Sequence, residues 1–305
     1  MIIRNALLLA LWAVAGQSIV TPRPPDTPAR GTTSLAQVRS DINALIAASG
    51  AEVAVAWRPL DAKPDEQILI NPTLRFHAAS TMKVPVMIEL FRQASVRRLK
   101  LNDKVPVTNE FTSIQDGSPF VLAATEDSDG ETYKALGKKL SYRQLVEASI
   151  TVSSNLATNI LIEHLGARDV QATTDTMGAS GMQVLRGVED QKAFDAGKSN
   201  TTDALGLLSL FEAIAKGQAV SPKASAEMVE ILKRQKFNDG IPSGLPPGTI
   251  VAHKTGTITR IHHDAGIVYA ARPYVLVILT RGILDQKISA KLMTDITSVI
   301  ARAIH

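Results

Sequence analysis

The sequence predicts an α/β (α+β) fold: a five-stranded antiparallel sheet flanked by terminal helices, with an all-helical domain inserted between its two groups of strands. Three observations lead there. Two strand-like runs stand early, at Ala51 to Trp57 and Glu66 to Ile70. Three β-branched runs stand late, at Thr249 to Lys254, Gly266 to Ala270 and Tyr274 to Thr280, each bounded by turn residues. Between Thr81 and about Gly217 most apolar segments instead carry the 3.6-residue period of a helix. Neither strand group can bury an apolar face alone, so both are expected in one sheet.

Taken in order, the elements divide the chain into four parts. Met1 to Ala15 has the layout of a secretory signal, with Arg4 as the positive start, Ala6 to Leu11 as the apolar run and Ala13-Val14-Ala15 as a small-x-small cleavage site. The apolar run is far below the roughly 20 residues that span a bilayer, so no membrane span is expected after its removal. Residues 16–33 include Pro22, Pro24, Pro25 and Pro28 and read as a solvated tether. Leu35, Val38, Ile42, Leu45 and Ile46 then recur at helical spacing until Gly50, which marks the first helix. Gln286 to Ile304 is the last one. Residues 34–80 with 218–305 are expected to form the α/β domain, and residues 81–217 the helical domain.

Bulk composition narrows the function classes. Of 305 residues, 45% are hydrophobic and 20% charged, enough apolar content for a full core and against disorder. The 33 basic and 29 acidic residues are scattered, and only 4% of residues are aromatic, so neither an electrostatic nor a stacking footprint for nucleic acid is present. The chain has no cysteine, which excludes disulfides, a thiol nucleophile and a lipidated cysteine. A monomeric periplasmic or secreted protein is the expectation.

Three short motifs carry chemistry. Ser80-Thr81-Met82-Lys83 stands where a loop enters a helix, and residues three apart on a helix share a face, so the lysine can reach the hydroxyl. A serine hydroxyl needs an adjacent base at neutral pH, and a partly desolvated lysine supplies one if its pKa falls. Ser153-Ser154-Asn155 breaks two apolar helices, the first opened by the capping box Ser141 to Gln144 and the second closed at Gly166. Lys254-Thr255-Gly256-Thr257 ends a β-branched strand; its glycine admits a ligand close to the backbone, and the lysine and hydroxyl suit a carboxylate. Each motif alone also has an ordinary structural reading as a cap, a helix break or a strand-end turn.

Together and in this order, the three motifs resemble the serine β-lactamase and penicillin-binding protein superfamily, and class A β-lactamases in particular. The flanking Phe76 to Pro85 and the strand, helix and strand plan strengthen the resemblance, which spans roughly Ser34 to the C-terminus. It implies a serine β-lactamase-like fold and a β-lactam substrate opened through a seryl acyl-enzyme, with no metal or organic cofactor. Ser80 would be the acylated nucleophile, Lys83 its base or proton relay, and Ser153 the donor to the leaving nitrogen. Asn155 would hold the substrate's amide side chain and Lys254 with Thr255 its carboxylate. The backbone N–H groups of Ser80 and Thr257 would form the oxyanion hole.

The resemblance also implies a glutamate, between the second and third motifs, that activates the water releasing the acyl group. Glu189 in Arg186-Gly187-Val188-Glu189-Asp190 is its counterpart, with Asp190 as the fallback. The family pattern has Leu-Asn shortly after the glutamate; here Lys192-Ala193 stands instead, and Ser154 replaces the aspartate of the second motif. These departures favour the rival reading, a D-alanyl-D-alanine peptidase or penicillin-binding protein that acylates but releases slowly. No G-x-S-x-G elbow is present, and adjacent His262 and His263 point to opposite faces of a strand, against a metal site. Arg260 or His263 could help hold the substrate carboxylate.

Overall fold

A computed structural model describes residues 34–304; the expected signal at 1–15 and tether at 16–33 lie outside the described residues. Helix α1 (Leu35–Ser49) starts where the Ser34 hydroxyl accepts the Gln37 N–H and ends at Gly50, whose φ of 64° closes the helix at low steric cost. The chain then enters β1 (Glu52–Pro59) and β2 (Ile68–Ile70). After the helical segment come β3 (Ile250–Ile258), β4 (Ile261–Tyr269) and β5 (Tyr274–Arg281). All five form one antiparallel sheet in the order β2-β1-β5-β4-β3. Val55 pairs with Ile278 and Ala265 with both Val277 and Lys254, so early and late strands interleave as the two-group pattern predicts.

The two-residue alternation of each strand sorts its side chains to opposite faces. Val53, Val55, Trp57, Leu276 and Ile278 pack with Val38 and Ile42 of α1 and with Met293, Ile296 and Ile300 of the C-terminal helix (Gln286–Ile304). Ala54, Ala56, Val275, Val277 and Leu279 face a second core, shared with the inserted segment. That segment is mainly helical: α2 (Lys83–Ser95), α3 (Tyr142–Thr151), α4 (Asn155–Leu165), α5 (Ala167–Thr176) and α6 (Ala204–Ala215); α7 (Pro222–Leu232), which follows it in the chain, packs into the same core through Met228, Ile231 and Leu232. Short two-stranded ladders, such as Lys104–Pro106 with Lys139–Ser141, supplement it.

Two strands are longer than the apolar pattern indicates. β3 continues through Lys254-Thr255-Gly256-Thr257, and β4 begins at Ile261, before His262-His263-Asp264. Polar residues end a run of hydrophobicity but not a hydrogen-bonded ladder, and here Lys254, His263 and Asp264 are fully buried. A buried carboxylate likewise fixes α2. Glu89, with no exposed surface, accepts from Arg92 Nε and Nη2 at 2.6 and 2.7 Å, from Gln93 Nε2 at 2.7 Å and from Thr173 Oγ1 on α5. The helix that opens at Lys83 is thereby tied to its neighbour.

Candidate active site

Ser80 lies in a 3-10 turn, Ala79–Met82, that runs directly into α2. Ala79 before it has φ 46°, a left-handed conformation that costs a non-glycine residue about 1–2 kcal/mol. The turn is held by Ala79 N–H donating to His77 Nδ1 at 3.0 Å and Thr81 Oγ1 donating to Ala78 O at 2.6 Å. Gly256 of β3 passes so close that a Cβ there would stand 3.1 Å from the backbone nitrogens of Ser80 and Thr81. The first and third motifs therefore meet backbone to backbone, and glycine permits the approach.

The second motif completes the arrangement. Capping by the Ser141 box and the break after α3 leave Ser153 with φ 60°, while the Ser154 hydroxyl caps α4 by accepting from Ala157 N–H at 3.2 Å. Asp127 accepts the Asn155 and Leu156 N–H groups, both at 2.9 Å, and pins the same helix start from outside. Lys83, fully buried, donates to Ser153 O at 2.6 Å, Asn155 Oδ1 at 2.7 Å and Ser153 Oγ at 3.3 Å. Its ammonium thus turns to the second motif rather than to the hydroxyl three residues back. Lys254, also fully buried, donates to Ser153 Oγ at 3.0 Å and Thr255 O at 2.8 Å.

Burial strips both lysines of water and lowers their pKa values. Lys83 falls to about 7, with Asp127 and Glu189 opposing the shift. Lys254 falls well below the usual ammonium range, through burial first and the charge of Lys83 second, against the pull of Asp264. An amine near 7 is poised to take or give a proton at neutral pH.

A cleft of about 340 Å³ opens over this junction, lined by Ser80, Ser153, Asn155, Thr255 and Thr257 together with Glu126, Ser128, Phe237, Asp239, His262 and Gln286. A larger groove, about 620 Å³ beside α6 and α7, contains none of the motif residues. Glu189 reaches the site from its loop. Asn159 on α4 accepts from Val188 N–H at 2.7 Å and donates to Val188 O at 3.0 Å, and Glu189 follows with φ 61°. Asn155 Nδ2 donates to its Oε1. Although the residue is exposed, partial burial of the carboxyl is the largest influence on its pKa and pushes it up; Asn155 opposes and Asp127 adds.

Three sequence expectations change. Asp190 is buried and structural: it accepts from Ser113 Oγ at 2.8 Å, Ile114 N–H at 2.9 Å and Ala193 N–H at 3.0 Å, so it caps a short helix and fastens a neighbouring hairpin. Arg260 sits in the β3-β4 turn and donates to Gly282 O at 3.0 Å. His263 points to the far side, where Nε2 meets His77 O at 3.0 Å and Nδ1 accepts from Thr280 N–H at 3.2 Å. His262, on the opposite face, lines the cleft across from Thr257, with Nδ1 on Ser289 Oγ at 2.9 Å. Strand alternation separates the two histidines in the sequence, but only register tells which face holds Thr257. Of the pair that stands where the family pattern has Leu-Asn, Lys192 is tied to Asp116 at 2.8 Å and Ser118 at 2.7 Å, and Ala193, in the asparagine's place, is buried in a short helix.

A serine in a tight turn ahead of a buried lysine, set between a helical segment and an antiparallel sheet, defines the serine β-lactamase and penicillin-binding protein class. The chain belongs to the beta-lactamase enzyme family, whose model matches residues 37–304. It is 26% identical over 223 residues to a beta-lactamase of Citrobacter koseri, covering 72% of this chain and 71% of the relative. In fold it is similar to the beta-lactamase from Sphaerobacter thermophilus, with a TM-score of 0.73, 23% identity, and coverage of 87% of this chain and 96% of the other. The fold of PBP-A is equally similar, with a TM-score of 0.74, 22% identity, and 88% and 96% covered.

Proposed function

We propose that this protein is a class A-like serine β-lactamase, exported and monomeric, that hydrolyses the β-lactam amide through an acyl-enzyme on Ser80. The observation that carries the reading is the convergence of Lys83 and Lys254 on Ser153 at the floor of the cleft that Ser80 lines. In acylation, the neutral amine of Lys83 takes the Ser80 proton as Oγ attacks the β-lactam carbonyl carbon. The N–H groups of Ser80 and Thr257 hold the developing oxyanion. As the C–N bond breaks, Ser153 passes its proton to the leaving nitrogen and is reprotonated through the adjoining lysine. Asn155 holds the substrate's amide side chain. Thr255, backed by Lys254, receives the substrate carboxylate, with His262 taking the place considered for Arg260 or His263.

In deacylation, Glu189 deprotonates a water that attacks the ester carbonyl, and the ester C–O bond breaks to return the proton to Ser80. The contact from Asn155 and the nearby charge of Lys83 support this placement of Glu189. One observation favours the slower penicillin-binding reading: Ala193 stands in the asparagine's place, buried and with no polar side chain to share the water. Steady-state turnover of a chromogenic cephalosporin separates the two. Sustained turnover is expected; a single stoichiometric labelling of Ser80 would favour the penicillin-binding reading, and no reaction would leave a silent binding module.

A further inference from the structure

Strands β3 and β4 carry a buried histidine–carboxylate pair that the mechanism above does not use. His253 Nδ1 stands 2.8 Å from Asp264 Oδ1, and both side chains are fully buried. Alternation puts His253 on the face of β3 that carries Thr255 and Thr257, and Asp264 on the face of β4 that carries His262. In register Asp264 stands opposite Thr255, and His262 opposite Thr257. The pair therefore adjoins the residues assigned to the substrate carboxylate.

What the pair holds is a wall of the cleft. Residues 235–241 cross from the helical segment to the sheet, and Phe237 and Asp239 of this stretch line the cleft. One end is fixed on α3, just before Ser153: Gln235 Nε2 donates to Ile150 O and Lys236 N–H to Thr151 O, both at 2.9 Å. The other end is fixed on the pair. Asn238, between the two cleft residues, presents Oδ1 to His253 Nε2 at 3.1 Å, and Ile241 N–H donates to Asp264 Oδ2 at 2.9 Å. Gly240 passes so close that a Cβ there would stand 2.7 Å from Asp264 Oδ2. His253 thus has an acceptor at each ring nitrogen and makes both bonds as the imidazolium, its charge balanced by Asp264.

We propose that His253, backed by Asp264, is a positioning residue for substrate binding: it anchors Asn238 and so holds Phe237 and Asp239 as the wall flanking the substrate's carboxylate-bearing ring beside Thr255 and His262. The proposal rests on the reading of this cleft as the β-lactam site. Asn238→Ala in the full chain unfastens the wall and leaves the buried pair in place. Asn238 is exposed, so the melting temperature should stay close to wild type. In rapid labelling by a fluorescent penicillin, the half-saturating concentration should rise on the order of ten-fold, the size of one lost hydrogen bond to a charged group. The limiting labelling rate should stay within about two-fold, because Ser80, Lys83 and Ser153 are untouched. His253→Asn keeps a donor for Asp264 in the place of Nδ1 but does not reach Asn238, and should give the same split. The double variant should bind no worse than either single one, because both substitutions break one link.

An unchanged half-saturating concentration in Asn238→Ala would overturn the proposal, and this exposed variant decides the case even if His253→Asn does not fold. So would a fall in the limiting rate, the mark of a general loosening of the site, and so would additive effects of the two substitutions, which would mean that Asn238 acts without His253. Ser80→Ala measured alongside keeps two failures apart. If the wild type labels only through Ser80 and Asn238→Ala binds like it, His253 alone is misassigned; if labelling is absent or survives in Ser80→Ala, the reading of the cleft fails and the proposal falls with it.

Discussion

Lys83 and Lys254 meet at one oxygen: Ser153 Oγ lies 3.3 Å from the first side-chain nitrogen and 3.0 Å from the second. Two ammonium groups buried around a single hydroxyl repel each other and lack water, so the lysines cannot both hold their protons firmly. A neutral amine can accept the serine proton, and the charged one can restore it. The hydroxyl thus becomes one link in a proton chain, available on the same side of the site as Ser80.

Lys83 gives the pH dependence its sign. With its pKa lowered to about 7, the amine is the free base above that value and ammonium below it. Acylation measured by rapid labelling should therefore fall as the pH drops through about 7. Lys83→Ala should reduce it by about 10²–10⁴-fold and flatten the profile. A variant that kept the wild-type rate would remove Lys83 from the chemistry.

The same shift makes a stability prediction. In the unfolded chain Lys83 keeps its usual value of 10.5, so between about 7 and 10.5 the unfolded state binds more protons than the folded one. Stability from this group accordingly rises with pH across that window. Lys83→Met should lessen the rise in urea melts taken at several pH values; an unchanged slope would show that the lysine is charged in the folded protein.

Ser80→Ala should abolish labelling by a fluorescent penicillin while leaving the circular dichroism and melting temperature close to wild type. Only the attacking oxygen is lost. Persistent labelling would transfer the nucleophile elsewhere.

Glu189→Gln should acylate normally and then accumulate acyl-enzyme, visible as a mass increase on the intact protein, with turnover reduced by about 10²–10⁴-fold. Asp190→Asn should behave differently. Its carboxylate fastens Ser113 and Ile114 and caps a helix, so loss of stability and local loosening are expected instead of a trapped ester.

Glu89→Ala should destabilise the fold by about 2–4 kcal/mol in equilibrium unfolding. It removes a fully buried carboxylate, leaves the Thr173 hydroxyl without its acceptor and leaves Gln93 Nε2 with Leu165 O alone. Because α2 begins with Lys83, a loss of acylation at temperatures well below the new midpoint would show that this clamp also sets the site.

The amino-acid sequence by itself determined the strands, the helices and the order of the three motifs, because these depend on local pattern. Alternation marks β1 and β5, the 3.6-residue period marks α1, and Ser141 to Gln144 caps α3 through bonds spanning three residues. It also pointed to Ser80, Ser153, Asn155 and Lys254, which the fold brings to one junction. Tertiary structure decided what lies at long range. Register placed His262 beside the cleft and His263 behind it, since one step along a strand exchanges faces. Burial brought Lys83 down to about 7, a property of surroundings that no three-residue spacing contains. Packing of separate segments set Asp127 under Asn155 and Asn159 against Val188, and so decided where Glu189 stands.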